Sequence, residues 1–331
     1  MATIAAVDIG YRNTKILAHD TRNNTTREWL FRSIAVPASS SSQTGAGLVR
    51  RDTRRVEVDG VPYEAGPDAH LLLGPRSTSV LHEDFIHTPE YHALFLAALS
   101  YIGDEEIDVI VGGLPVRHLD GSKSDLEALM IGTHHVPGLG TVHVHHSAVI
   151  PQPMGALIEE LSRAGNVTEQ TVLLIDPGYF TLDWTAAQGL KHLPPLTGSF
   201  PAGVSAGLRA VAEHIRQCTG KPFDDLNALD RKIRNQQLAL SDLTLERDTL
   251  AVLMREGLHP GITEMKNQLG EAHLIDRIVL CGGGASWFEP LVRESWSNLP
   301  VSLIERPVSA NARGFLQLAA DLAGLQHGVA A

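Results

Sequence analysis

Two short stretches place an aspartate at the end of an apolar run and a glycine two residues later. They are Asp8-Ile9-Gly10-Tyr11-Arg12-Asn13-Thr14-Lys15 and Asp176-Pro177-Gly178-Tyr179-Phe180-Thr181-Leu182-Asp183. A tight turn of this kind exposes backbone N–H groups that can hold phosphate oxygens. Lys15 adds a point charge to the first stretch. A carboxylate repels phosphate unless a cation lies between them. Mg2+ suits that place, because it keeps several waters and is held by one or two carboxylates together with phosphates. Asp8 and Asp176 are therefore the candidate metal-side groups, acting through bound water. Gly10, Tyr11, Arg12, Asn13, Thr14 and Lys15 are the candidate phosphate-side residues of the first turn, and Gly178, Tyr179, Phe180 and Thr181 those of the second. Either stretch alone is an ordinary hairpin turn. The pair lies 168 residues apart (176 − 8), about half of the 331-residue chain, in matched strand–turn–strand contexts. That spacing points to two related halves from a duplication.

A third glycine cluster, Gly282-Gly283-Gly284, follows an apolar segment and precedes a helical one. Three glycines let a flat base or a ribose come close to the backbone. The chain holds neither the phosphate-loop pattern G-x-x-x-x-G-K-[ST] nor a dinucleotide-binding G-x-G-x-x-G in the required place.

The elements that must carry these turns follow from periodicity. Strands are expected at Thr3–Val7, Thr14–Ala18, Glu28–Val36, Ile107–Val111, Thr141–Val144, Thr171–Ile175, Leu182–Ala187, Arg277–Cys281 and Val301–Ile304. A hairpin is expected over Arg54–Glu64 around Asp59-Gly60. Helices are expected at Glu90–Ile102, Ser124–Ile131, Pro153–Ala164, Val204–Cys218, Phe223–Gln236 and Ser286–Ser295. A longer one, Leu243–Leu269, is expected to be interrupted at Gly257 and Pro260, and a last one, Ala310–Ala323, to stop at Gly324. The small polar residues of Ala38–Gly47 predict a loop. Strands alternating with helices, with glycines at strand ends, define an α/β fold whose ligands sit at the carboxyl ends of strands.

These motifs, in this order, resemble those of the superfamily of actins, heat-shock chaperone ATPases and sugar kinases. DIGYRNTK (8–15) and DPGYFTLD (176–183) resemble its two phosphate loops, and VLCGGGA (279–285) its adenosine loop. VIPQPMGA (149–156) and NARG (311–314) are similar to its two connecting motifs. IVGGLP (110–115) is similar to the Gly-Leu-Pro strand end of ParM/StbA-type bacterial actin-like ATPases, including those of PRTRC plasmid systems. The resemblance implies an actin-like ATPase fold: two duplicated RNase H-like α/β domains flanking a nucleotide cleft. Residues 1–165 would form the first domain, with a small insertion at about 36–85 and the C-terminal helix 314–331 returning to it. Residues 166–313 would form the second, with an insertion at about 203–271. It also implies roles for residues that spacing does not single out. Gln152 would position the attacking water, with Asp176 and Asp183 as catalytic carboxylates, and Gly203 would touch the nucleotide. Lys232 or Arg234 would lie near the base. Tyr11 and Arg12 are bulky for a phosphate loop, and Pro177 has no N–H to offer.

Composition narrows the function classes. The formal net charge of −11 opposes a direct, non-specific grip on nucleic acid. The one basic run, Arg50, Arg51, Arg54 and Arg55, reads as a solvated loop or strand edge. No apolar run reaches the roughly 18 residues needed to span a membrane. Two cysteines cannot build a disulfide framework, which fits a reducing cytoplasm. The histidines at 134, 135, 143, 145 and 146 read as surface residues, because no nearby cysteine or carboxylate completes a ligand set. The resemblance thus implies a cytoplasmic ATPase using ATP (or GTP) and Mg2+. It would self-assemble into filaments and move plasmid DNA through a DNA-binding adaptor. A small-molecule kinase on the same fold, or a nucleotide-binding scaffold that does not polymerise, are the alternatives.

Overall fold

The computed structural model describes residues 3–38, 51–73, 84–164, 169–189, 191–240, 243–270 and 273–325. The expected loop at 38–47 (apart from Ala38), Arg50, the 165/166 boundary and residues 326–331 lie outside them. Contacts divide the chain into two compact units. The first comprises Met1–Leu114, His118–Ser162 and Ser309–Ala331; the second comprises Pro115–Arg117 and Arg163–Val308.

The first unit is built on a six-stranded sheet. Its strands are β1 (Thr3–Ile9), β2 (Asn13–Asp20), β3 (Thr25–Arg32), β7 (Glu106–Leu114), β8 (Gly132–Val136) and β9 (Gly140–Pro151), in the order β3-β2-β1-β7-β9-β8. A second, three-stranded sheet contains β4 (Ala35–Pro37), β5 (Arg54–Val58) and β6 (Val61–Ala65), in the order β4-β6-β5. Every residue of β1 is buried, as expected of a strand covered on both faces. Its side chains alternate: Ala5, Val7 and Ile9 pack into one apolar cluster with helix α1 (Pro89–Ile102), while Ile4 and Ala6 pack into another with α8 (Ala310–Leu322). Helices α2 (Leu119–Met130) and α3 (Gln152–Ala164) complete this unit.

The second unit repeats the plan. Strands β10 (Thr171–Pro177), β11 (Leu182–Gln188), β12 (Lys191–His192), β16 (Arg277–Leu280) and β17 (Val301–Leu303) run in the order β12-β11-β10-β16-β17, and β13 (Gly198–Phe200) also pairs with β11. In both units the antiparallel hairpin leads directly to a parallel neighbour: β1–β2 beside β7, and β10–β11 beside β16. Helices α4 (Val204–Thr219), α5 (Leu226–Arg234), α6 (Arg247–Leu269) and α7 (Ala285–Ser295), with a small β14 (Ala239–Leu240)–β15 (Leu243–Thr244) pair, make up the rest.

Several expected elements differ. The strand expected over Glu28–Val36 breaks at Ser33 into β3 and β4, which belong to different sheets. The break occurs because the Ser33 N–H donates to the Arg12 carbonyl and its hydroxyl to that of Gly10. The strand expected at Thr141–Val144 runs on to Pro151, and β8, not foreseen, pairs with it. Helix α6 is not interrupted. A Cβ at Gly257 would lie 2.6 Å from the Ala206 carbonyl and from Gly207 Cα, so this glycine permits a close crossing with α4. Pro260 lies on the exposed face, where a lost helical N–H is tolerated. Gly324, at φ 71°, follows the last helix as expected.

Candidate functional site

In the first unit, β1 carries Asp8 to the start of the turn. Register pairs Asp8 with Lys15 and Ile9 with Thr14, and the Gly10 N–H donates to the Asn13 carbonyl at 3.0 Å. Asp8 is fully buried. Its Oδ2 takes the Lys15 ammonium at 2.8 Å, and its Oδ1 accepts from Gln152 Nε2 at 2.8 Å. A buried carboxylate needs such partners, since an uncompensated charge costs several kcal/mol there. Gln152 is the first residue of α3, delivered by the end of β9. Tyr11 stacks on Phe85 with ring centroids 5.6 Å apart, which gives its bulk a place outside the turn. Ser33, which the sequence reading did not single out, braces the loop through Gly10, Arg12 and the Thr14 hydroxyl. Only the pairing of β2 with β3 brings it there.

The second unit reproduces this hairpin residue for residue. Asp176 pairs with Asp183 and Pro177 with Leu182, and the Gly178 N–H donates to the Thr181 carbonyl at 2.9 Å. The carbonyls of Gly178, Tyr179 and Phe180 accept from Val204, Ser205 and Gly203 at the start of α4. In a trans peptide the N–H points opposite the C=O, so the N–H groups of Tyr179, Phe180 and Thr181 are turned away from α4. A Cβ at Gly203 would sit 2.7 Å from the Gly178 carbonyl oxygen. Gly203 therefore brings helix and loop together.

Asp183 occupies the position that Lys15 holds in the first hairpin (15 + 168 = 183). It is buried and accepts hydrogen bonds from the Thr181 hydroxyl and the Val116 N–H. Burial pushes its pKa up to about 6, against the opposing pull of those hydrogen bonds; the neighbouring Asp176 adds to the rise.

The glycine cluster packs on the same hairpin. The Gly284 N–H donates to the Pro177 carbonyl and that of Gly282 to Pro307, each at 2.8 Å. Gly282 has φ 75°, and a Cβ there would fall 2.0 Å from Asp176 Oδ1. A Cβ at Gly284 would meet Val204 and the Pro177 carbonyl, whereas Gly283 faces open space. Two of the three glycines thus serve the fold itself, and Gly283 leaves room. Arg234 reaches the Gly283 carbonyl at 3.3 Å from a base on Asp230, while Lys232 is half-buried on the same helix.

The connecting motifs meet in the core of the first unit. A Cβ at Gly314 would lie 1.7 Å from the Gly155 carbonyl, and one at Gly113 would lie 2.3 Å from the Phe315 ring. Arg313 and Glu159 form a buried ion pair at 3.0 Å between α8 and α3. Elsewhere, His143 bonds Thr133, His145 bonds Glu106, and His134 bonds the Met130 carbonyl. No group of three or more His, Cys, Asp or Glu among the described residues is placed to hold a metal by itself. No helix among them is long and apolar enough to cross a membrane.

Two α/β units sharing one sheet plan, each with an Asp-x-Gly hairpin on its first strand, define the actin-like class of fold. A family model described as actin like proteins N terminal domain matches residues 6–155, and one described as archaeal actin homologue MreB-like, C-terminal, matches residues 174–294. The chain belongs to the actin-like proteins. Its fold is similar to that of an apo ParM of pSK41, with 16% identity over 98% of both chains and a TM-score of 0.69. It is similar to a 15-stranded ParM filament from Clostridium botulinum, with 18% identity over 97% of this chain and 99% of that one and a TM-score of 0.74. It is also similar to an archaeal actin homologue in complex with ADP, with 18% identity over 96% and 99% and a TM-score of 0.69. None of the curated proteins compared with the chain matches it.

Proposed function

We propose that this chain is a ParM-type ATPase that binds ATP with Mg2+ through its two hairpins and assembles into filaments. The observation that carries the reading is the repeated hairpin: Asp8 and Asp176, buried at 0% and 6% exposure, each stand two residues before a glycine whose N–H closes the same turn. That donor set fits a magnesium nucleotide, since it offers carboxylates for the metal's waters and turned-out N–H groups for phosphate oxygens. When bound, the metal neutralises phosphate charge. Asp8 and Asp176 would hold it through water, and Lys15 would add positive charge beside the phosphates. Gln152, its amide fixed by Asp8, would orient the attacking water through Oε1. A small-molecule kinase reading would take its base from Asp183, which is buried and accepts hydrogen bonds from Thr181 and Val116.

An ADP complex of one protein of this fold and a filament of another support the nucleotide and the assembly. Plasmid DNA segregation in the cytoplasm, through a DNA-binding adaptor, is the role we propose for the filament. A net charge of −11 fits an indirect link to DNA. The test is light scattering and electron microscopy of the purified chain with ATP, ADP and no nucleotide, alongside phosphate release. Filaments with ATP and release without any acceptor are expected. Absence of filaments in all three conditions overturns the assembly, and release that depends strictly on an added acceptor overturns the ATPase.

A further inference from the structure

The first unit contains a cavity of about 200 Å³ whose lining includes none of the hairpin or glycine-loop residues. Its apolar wall is Val58, Leu126 and Leu129, and its polar groups are Asp59, His87, His92 and Asp125. They come from the β5–β6 turn, from the 3-10 turn Phe85–His87, from α1 and from α2. Pockets for drug-sized ligands run from roughly 300 to 1,000 Å³, so a smaller group fits this one.

The polar groups specify which. His87 bridges Asp84 and Asp125, taking Asp125 Oδ2 at 3.0 Å and leaving Oδ1. Neither Asp59 nor His92 makes a side-chain hydrogen bond to another described residue. The α1 N-terminus nearby carries about half a positive charge. Its first turn is already answered by the Thr88 cap and by Glu90. His87, held between two carboxylates through both ring nitrogens, adds one positive charge, and the two together are outweighed by Asp59, Asp84 and Asp125. The ligand is therefore cationic, with hydrogen bonds to donate and a short apolar stem. A metal ion is not favoured, because no three ligating side chains converge among the described residues.

We propose that this cavity binds one alkylguanidinium or alkylammonium group, of the kind that ends an arginine or lysine side chain. Asp59 and Asp125 pair with the cation, His92 accepts a hydrogen bond, and Val58, Leu126 and Leu129 cover the stem. Burial lowers the His92 pKa, which keeps its imidazole neutral and able to accept.

The test follows the imidazole NMR signals of His87 and His92 in the full chain while n-butylguanidinium is added, with pentanamide as the neutral match. A saturable shift with the guanidinium and none with the amide is expected. Asp59→Asn and Asp125→Asn should each weaken it about two- to fivefold, the range of a solvent-exposed ion pair. Asp59 lies on an exposed turn, so its variant remains informative if Asp125→Asn disturbs the His87 bridge. A dilution series without probe separates the sources: signals that move with protein concentration and are displaced by the probe identify a second copy as the donor, and constant signals identify a foreign cation. No saturation by the guanidinium, or equal saturation in the double variant, overturns the proposal.

Discussion

Gln152 donates from Nε2 to Oδ1 of Asp8 at 2.8 Å, while Lys15 holds Oδ2 at the same distance. The residue expected to orient water is thus tied to the residue expected to face the metal. Replacing Gln152 with alanine removes the amide but leaves Lys15 in place. Phosphate release should fall about tenfold or more, with nucleotide binding largely kept. Single-turnover release and titration with a fluorescent nucleotide check the two halves of this statement. An unchanged rate removes Gln152 from the chemistry.

The Lys15–Asp8 pair is almost wholly buried, at 14% and 0% side-chain exposure. Lys15→Met should destabilise by about 3 kcal/mol, because the carboxylate stays buried without its cation. Adding Asp8→Asn should recover much of that loss. Urea unfolding of both variants measures it, and a double variant no better than the single one contradicts the account.

Asp183 leads to a pH dependence with a definite sign. Its folded pKa of about 6 lies above the ordinary 3.8, so between those values the folded state binds more protons than the unfolded one. Stability from this group is present below pH 4 and lost as pH rises through 6, by about 3 kcal/mol in all. Asp183→Asn can still accept from Val116 and should flatten that slope. Urea midpoints at three pH values across this window, compared with the unaltered chain, decide it.

The crossing of α3 and α8 depends on two glycines. A methyl on Gly314 would sit 1.7 Å from the Gly155 carbonyl, a backbone atom that cannot swing aside as a side chain can. Gly314→Ala should cost about 3 kcal/mol. Gly121→Ala, in α2 with nothing within 4 Å, should be neutral or stabilise by up to about 1 kcal/mol. Thermal melts of the two variants should move apart; parallel shifts would contradict the packing argument.

Much of this molecule was legible in the linear chain, because its signals are local. Short, nearly continuous apolar runs mark β1, β2, β10 and β11, and glycine two residues after aspartate marks a turn whose hydrogen bond closes within four residues. A recurrence 168 residues on is likewise visible without coordinates. The break at Ser33, the length of β9, the unbroken α6 and the hydrogen bond from Gln152 to Asp8 were decided by tertiary structure. Each depends on partners brought together across the chain, from 23 residues apart for Ser33 and Gly10 to 144 for Gln152 and Asp8. Periodicity reports which side of an element is covered; it does not report what covers it, and a buried carboxylate takes its chemistry from that neighbour.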